Sequence, residues 1–218
     1  MSENFRDFIT EVKPIRIKEP LAETLGAFKE DNSILEYSFA DAVKMAGHAC
    51  PTVAGAYMSC RKALDMLYLG EIPVRGEIAV TVYGEPDEGV YGVMAQVFSF
   101  LTGAAPDTGF RGLGHKFKRR DLLKFDPGGI EPQTICFEFG RRDNGRAVLV
   151  KFYPREIPFP EEKAKRLQEL LELVIWDAAK EEQRKEFQEL WLEKVKGMLL
   201  ERREIDRWLH LECEGEPK

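Results

Sequence analysis

The run TICFEFGRRDNGRAVLVKFY, residues 134–153, decides the fold. It divides into two strand-like halves, Thr134–Gly140 and Arg146–Tyr153, around Asp143-Asn144-Gly145. An Asn-Gly step between alternating apolar residues is a strong hairpin signal, because both residues tolerate positive φ. Ile135, Phe137 and Phe139 share one face of the first half, and Cys136 lies on the other. Upstream, GEIAVTVY at 76–83 alternates in the same way: Ile78, Val80 and Val82 face one side, Ala79, Thr81 and Tyr83 the other. A short strand is expected near Leu122–Phe125, after a Gly-rich loop over 103–114. Val90–Leu101 is mainly apolar and reads as a buried helix.

Two helices are expected before the first of these strands. Ser38 followed by Asp41 forms a capping box in its Asp variant and opens a helix to about Met45, which Gly47 stops. Pro51 sits at a typical first helical position, and Val53–Leu69 continues as a second helix that Gly70 ends. The order is helix, strand, helix, then three strands, an α+β class with a mixed sheet. Residues 1–37 show no clear pattern and form an N-terminal segment; the domain spans 38–155.

Charge splits the chain further. The last 59 residues carry 28 of the 70 charged side chains but only two of the 18 glycines, Gly197 and Gly215. Pro154, Pro158 and Pro160 mark the boundary. Leu167, Leu170, Leu171, Val174, Ile175 and Ala178 recur at helical spacing, as do Phe187, Leu190, Trp191, Val195, Met198, Leu199, Ile205 and Leu209. Residues 160–212 are therefore expected to be charged amphipathic helices forming a C-terminal extension. Each must lay its apolar stripe on the domain, on its neighbour or on a second subunit.

Composition removes several function classes. The aromatic content of 11% and hydrophobic content of 44% exclude a wholly disordered chain. No stretch approaches the roughly 18 apolar residues of a membrane span. The acidic N-terminus lacks the pattern of a secretory signal, so a cytoplasmic protein is expected. The net charge of −6 argues against a nucleic-acid partner. Four scattered cysteines, with no C-x-x-C pair, exclude a disulfide framework or a zinc ribbon.

The chemistry concentrates at Gly47-His48-Ala49-Cys50-Pro51, the junction of the two helices. Cys50 falls at the N-cap of the second helix, where unpaired N–H groups favour a thiolate. An imidazole and a thiolate suit a borderline-soft ion such as zinc, with nickel, iron and copper as alternatives. Two ligands do not complete a site, and His115, in Gly112-Leu113-Gly114-His115, is the third candidate. His115 also heads the basic run His115-Lys116-Phe117-Lys118-Arg119-Arg120, either a solvated loop or a site for a carboxylate or phosphate. Glu85 and Asp87 are candidates for a ligand or a proton carrier, and Tyr83 for a hydrogen-bond donor. Cys60 and Cys136 read as structural, and His210 and Cys213 as incidental residues of the tail.

Gly47-His48-Ala49-Cys50-Pro51, followed by a small-residue helix with Gly55 and Arg61, resembles the G-H-x-C-P signature of the FmdE family, named for a component of formylmethanofuran dehydrogenase. Leu101-Thr102-Gly103 and Gly112-Leu113-Gly114-His115 are similar to the family's second block, which runs T-G-C-T, glycines, then Asn-Leu. The resemblance covers about residues 38–153. It implies an α+β unit in the order already read, a homodimer, and a transition metal, often zinc, held by His48 and Cys50. The chain departs from the family with Ala104 where a Cys is common, with His115 in place of Asn, and with no Cys or Asp in Val90–Gln96.

The leading expectation is thus a metalloprotein with His48 and Cys50 as ligands and His115 completing the site or touching a small-molecule ligand. If it is an enzyme, an open coordination position would act on a small substrate, with Glu85 or Asp87 moving the proton. Alternatives are a non-catalytic metal or cofactor carrier, or an accessory subunit docking on a redox enzyme through the charged helices. A haem or other tetrapyrrole with His48 or His115 as axial ligand is a further alternative, and metal-free thiolate chemistry at Cys50 is another.

Overall fold

The structure, a computed structural model, describes residues 8–29, 33–128, 134–200 and 204–214. The hairpin forms as read: β7 (Ile135–Arg141) pairs antiparallel with β8 (Ala147–Phe152). The N–H of Gly145 closes the turn on the Arg141 carbonyl, with Gly145 at φ +72°. On its other side β7 pairs with β3 (Ile78–Tyr83), which runs parallel to the short β6 (Leu123–Phe125). The fifth strand is β9 (Leu209–Glu214), antiparallel to β8, so the order is β6-β3-β7-β8-β9.

One face of this sheet carries the core. Val80 pairs with Phe139, and Phe137 with Val150; all four are at most 1% exposed. Two helices cover that face. The first, α3 (Pro51–Tyr68), follows α2 (Phe39–Ala46) and lays Gly55 against the Phe152 ring, where a Cβ would stand only 2.7 Å from the ring edge. The second, α4 (Tyr91–Thr102), sets Phe98 edge-on against both Phe137 and Phe139, with centroids at 4.8 and 5.0 Å. Edge-to-face rings of this kind add to the area they bury. The α+β class stands, and the expected order of helix, strand, helix and three strands is interrupted by one short hairpin over 112–118, in a stretch read as Gly-rich loop and basic run. Among the described residues, no helix is long and apolar enough to cross a membrane.

Two boundaries differ from the sequence reading. The segment before residue 38 belongs to the fold. The strands β1 (Ile15–Lys18) and β2 (Ile34–Tyr37) pair antiparallel, with α1 (Pro20–Thr24) between them. Ile15 and Ile17 enter the core, and the Tyr57 hydroxyl of α3 donates to the Tyr37 carbonyl at 2.9 Å. Residues 1–7 and 30–32 of that segment lie outside the described residues.

The C-terminal helices α5 (Glu161–Ile175) and α6 (Glu181–Leu200) are present as expected, and of the three partners open to them they take each other, as a hairpin, while α6 also packs on α3. However, 160–212 is not helical throughout. A short α7 (Ile205–Trp208) packs Trp208 on Phe152, and the chain then enters the sheet as β9. His210 and Cys213, read as incidental tail residues, are paired positions of that strand, opposite Lys151 and Val148. Leu209 continues the helical step from Ile205 but also opens an alternation with Leu211, and the edge of β8 selects the strand.

Candidate functional site

The helix-to-helix elbow is built as the sequence indicates. Ser38 caps α2 reciprocally: its Oγ accepts from the Asp41 N–H at 3.3 Å, and Asp41 Oδ2 accepts from the Ser38 N–H at 3.0 Å. Gly47 ends α2 at φ +80°, a left-handed conformation open to glycine without penalty. Cys50 is the N-cap of α3, with Pro51 at the first helical position. The carbonyl of Ala49, between the two candidate ligands, accepts the indole N–H of Trp191 at 2.8 Å. The elbow is thereby fastened to α6.

The same geometry turns the two candidate ligands to separate tasks. Cys50 is buried in the core, where its Sγ accepts the Val53 N–H at 3.4 Å and satisfies an amide of the first turn. His48 is exposed, with Nδ1 3.1 Å from the Ala46 carbonyl. A carbonyl only accepts, so Nδ1 carries the proton in this contact. His115 is exposed on the turn of a small hairpin between β4 (Gly112–Leu113) and β5 (Phe117–Lys118). Among the described residues, no group of three or more His, Cys, Asp or Glu side chains stands so as to hold a metal ion. His48, Cys50 and His115 therefore do not fit the three-ligand centre expected of them, and no chemical step is assigned through a metal.

The candidate proton carriers are also placed apart from an enclosed site. Glu85 and Asp87 are exposed in the turn after β3. The Tyr83 hydroxyl donates to Glu138 Oε2 on the neighbouring strand at 3.3 Å, on the sheet face away from α3 and α4. Cys60 and Cys136 are wholly buried, and burial pushes the Cys60 thiol far up, so it stays protonated and inert.

The concavity with the character of a binding site lies elsewhere. A groove of about 500 Å³ opens between α2, α4 and β6. Gly92, Ala95, Gln96 and Ser99 line it from one side of α4, at the spacing that puts side chains on a single helix face. Met45 and Phe125 contribute apolar wall, and Thr108 a further hydroxyl. Among the described residues its polar groups are neutral, and no titratable side chain lines it. Past Leu123 and Phe125 it widens into a shallower recess carrying Asp107, Lys118, Asp121 and Lys124.

Sequence reasoning treated Val90–Leu101 as uniformly buried and so passed over this face. The available signal was the run of small and polar residues at 92, 95, 96 and 99, opposite Met94, Val97, Phe98 and Leu101, which face the sheet and are at most 1% exposed. In comparisons with known proteins, no family model matches the chain and no curated protein matches it.

Proposed function

We propose that this chain is a non-catalytic binding protein on a divergent FmdE-like scaffold, a carrier or accessory subunit for an uncharged, mainly apolar small molecule. The groove between α2, α4 and β6 carries this reading. Its volume falls in the range of small-molecule sites, which are mostly apolar with a few placed polar groups. Gln96, Ser99 and Thr108 supply such groups, and with no charge in the wall among the described residues, an ionic ligand would enter it without compensation. General acid–base chemistry needs a titratable group within hydrogen-bond reach of the substrate, and among the described residues those nearest the groove stand in the adjoining recess and not in its wall. The helix order and the capped Gly47–Pro51 elbow support the scaffold part of the proposal.

The test uses an uncharged fluorescent probe, N-phenyl-1-naphthylamine, and the variant Ser99→Trp, which fills the groove from its α4 wall. Saturable probe binding by the native chain, weakened about tenfold or more in the variant, is expected for loss of a contact face of this size. Equal binding by both, or none by either, overturns the reading.

A further inference from the structure

The β4–β5 hairpin exposes two apolar side chains among cations that lack counter-charges. The run FRGLGHKFKRR, residues 110–120, holds five Lys and Arg, one His and no acid, in a chain whose net charge is −6. Phe110 is 59% exposed and Leu113 53%. They are three residues apart, so their Cα atoms are separated by no more than about 11 Å. Arg111 and Lys116 are exposed as well, and neither has a carboxylate partner among the described residues. Lys116 lies only beside the Phe117 ring, with Nζ 5.2 Å from its centroid. Lys118 and Arg120 share Asp121 at 3.5 and 3.6 Å, and all three side chains are wet enough for these pairs to open readily.

The fold holds this ribbon in place. Gly112 pairs with Lys118, and Leu113 with Phe117. Gly112 is left-handed at φ +89°, and a Cβ there would stand 1.9 Å from the Phe117 carbonyl oxygen, so only glycine lets the strands close. At the base, the Arg119 N–H donates to the Arg111 carbonyl at 3.1 Å. The Arg119 side chain, 2% exposed, donates from Nη2 to Glu19 Oε1 at 2.6 Å, and Glu19 Oε2 accepts from Arg75 Nη1 at 2.9 Å. A buried ion pair thus anchors the hairpin, while Phe110 and Leu113 stay outside the hydrophobic core.

Apolar side chains among free cations match a partner that is apolar and anionic together. A stable protein interface takes about 20 residues on each side, around anchors seated in shaped pockets. The run supplies eleven residues. A bilayer surface requires neither area nor shape: apolar side chains sink between the headgroups, and the long Lys and Arg stems keep their charges at the phosphates. Each cation close to an anionic leaflet adds attraction, whereas charges elsewhere on the chain, more than a Debye length away, are screened.

We propose that the β4–β5 hairpin docks the chain on an anionic lipid surface, with Phe110 and Leu113 entering the interface and Arg111 and Lys116 meeting the headgroups. The contact is peripheral and crosses nothing. It goes beyond the reading of the α2–α4 groove and does not rest on it. The full chain is sedimented with vesicles of phosphatidylcholine alone and of phosphatidylcholine with phosphatidylserine; polyglutamate stands in for an acidic protein. Binding to the mixed vesicles is expected to be about tenfold or more the stronger, and to weaken as salt is raised. Phe110→Ser combined with Leu113→Ser, and separately Lys116→Glu, are each expected to weaken it about tenfold. All three positions are exposed, so the urea midpoint should not move and loss of binding is not loss of fold. Equal binding to both vesicle types, binding to neither, or binding that either variant leaves unchanged overturns the proposal. Capture by polyglutamate without binding to the mixed vesicles assigns the hairpin to an acidic protein and overturns it too.

Discussion

The α5–α6 hairpin and the cluster around Glu19 are assembled from the same ion pairs, yet burial gives them opposite weight. On the hairpin, Arg166 grips Glu186 through Nε and Nη2 at 2.8 and 2.6 Å, and also reaches Glu169. Arg184 meets Asp177, and Lys163 meets Glu193. All of these side chains are substantially exposed, so water and salt compete for every partner. Around Glu19, Arg119 is sealed from solvent and Arg75 is mostly covered. There, removal of one partner leaves a charge that water cannot reach. The hairpin has more ion pairs; the Glu19 cluster has more at stake in each.

The largest effect that sharpens this contrast is expected from Glu19→Gln. It strands the Arg119 guanidinium and should lower unfolding free energy by about 3 kcal/mol, read as the midpoint of urea denaturation. A loss below about 1 kcal/mol would place this cluster with the surface pairs.

Buried phenols extend the comparison to pH. Burial raises the Tyr68 hydroxyl to about 12 and moves Tyr57 further in the same direction. In the unfolded chain both ionise near 10, so the native state keeps its protons to higher pH. The stability tied to these groups is complete below about pH 10 and drains away as pH rises from there through about 12. Tyrosinate absorbance should show part of the tyrosine signal delayed until unfolding. If every tyrosine titrates near 10 with the fold intact, the burial argument fails.

The elbow gives an intermediate effect. Cys50→Ala removes the acceptor of the Val53 N–H and should cost about 1 kcal/mol, whereas Cys50→Ser restores a preferred N-cap and should recover most of it. Equal losses in Ser and Ala would show that the sulfur has a duty beyond capping. The smallest effect belongs to Glu186→Gln on the hairpin, where the denaturation midpoint should stay within measurement error at ordinary salt. A clear drop would mean that the exposed network acts cooperatively.

Much of the fold was legible because its signals are local. The Asn144-Gly145 step, the Ser38–Asp41 box, Gly47 and Pro51 each act within a few residues, and each sits where its pattern indicates. The last strand was not legible, since Leu209 also completes a helical step from Ile205 until the edge of β8 is present to pair with it. Nor was the short β1, whose IRIK alternation spans four residues. The candidate site was legible only in part. Position 50 was recognised as an N-cap, but the use of its sulfur depends on the core that closes over it.

By itself, then, the chain's order of residues determined the α2–α3 elbow, the β7–β8 hairpin and the α+β class, because hydrogen-bond capping, turn chemistry and apolar period act over one or two turns of backbone. Tertiary structure alone decided which charges are buried together and where space remains. Glu19 and Arg119 lie 100 residues apart, and the groove walls come from α2, α4 and β6. Such meetings are set by how helices and sheet pack, and no local pattern encodes them.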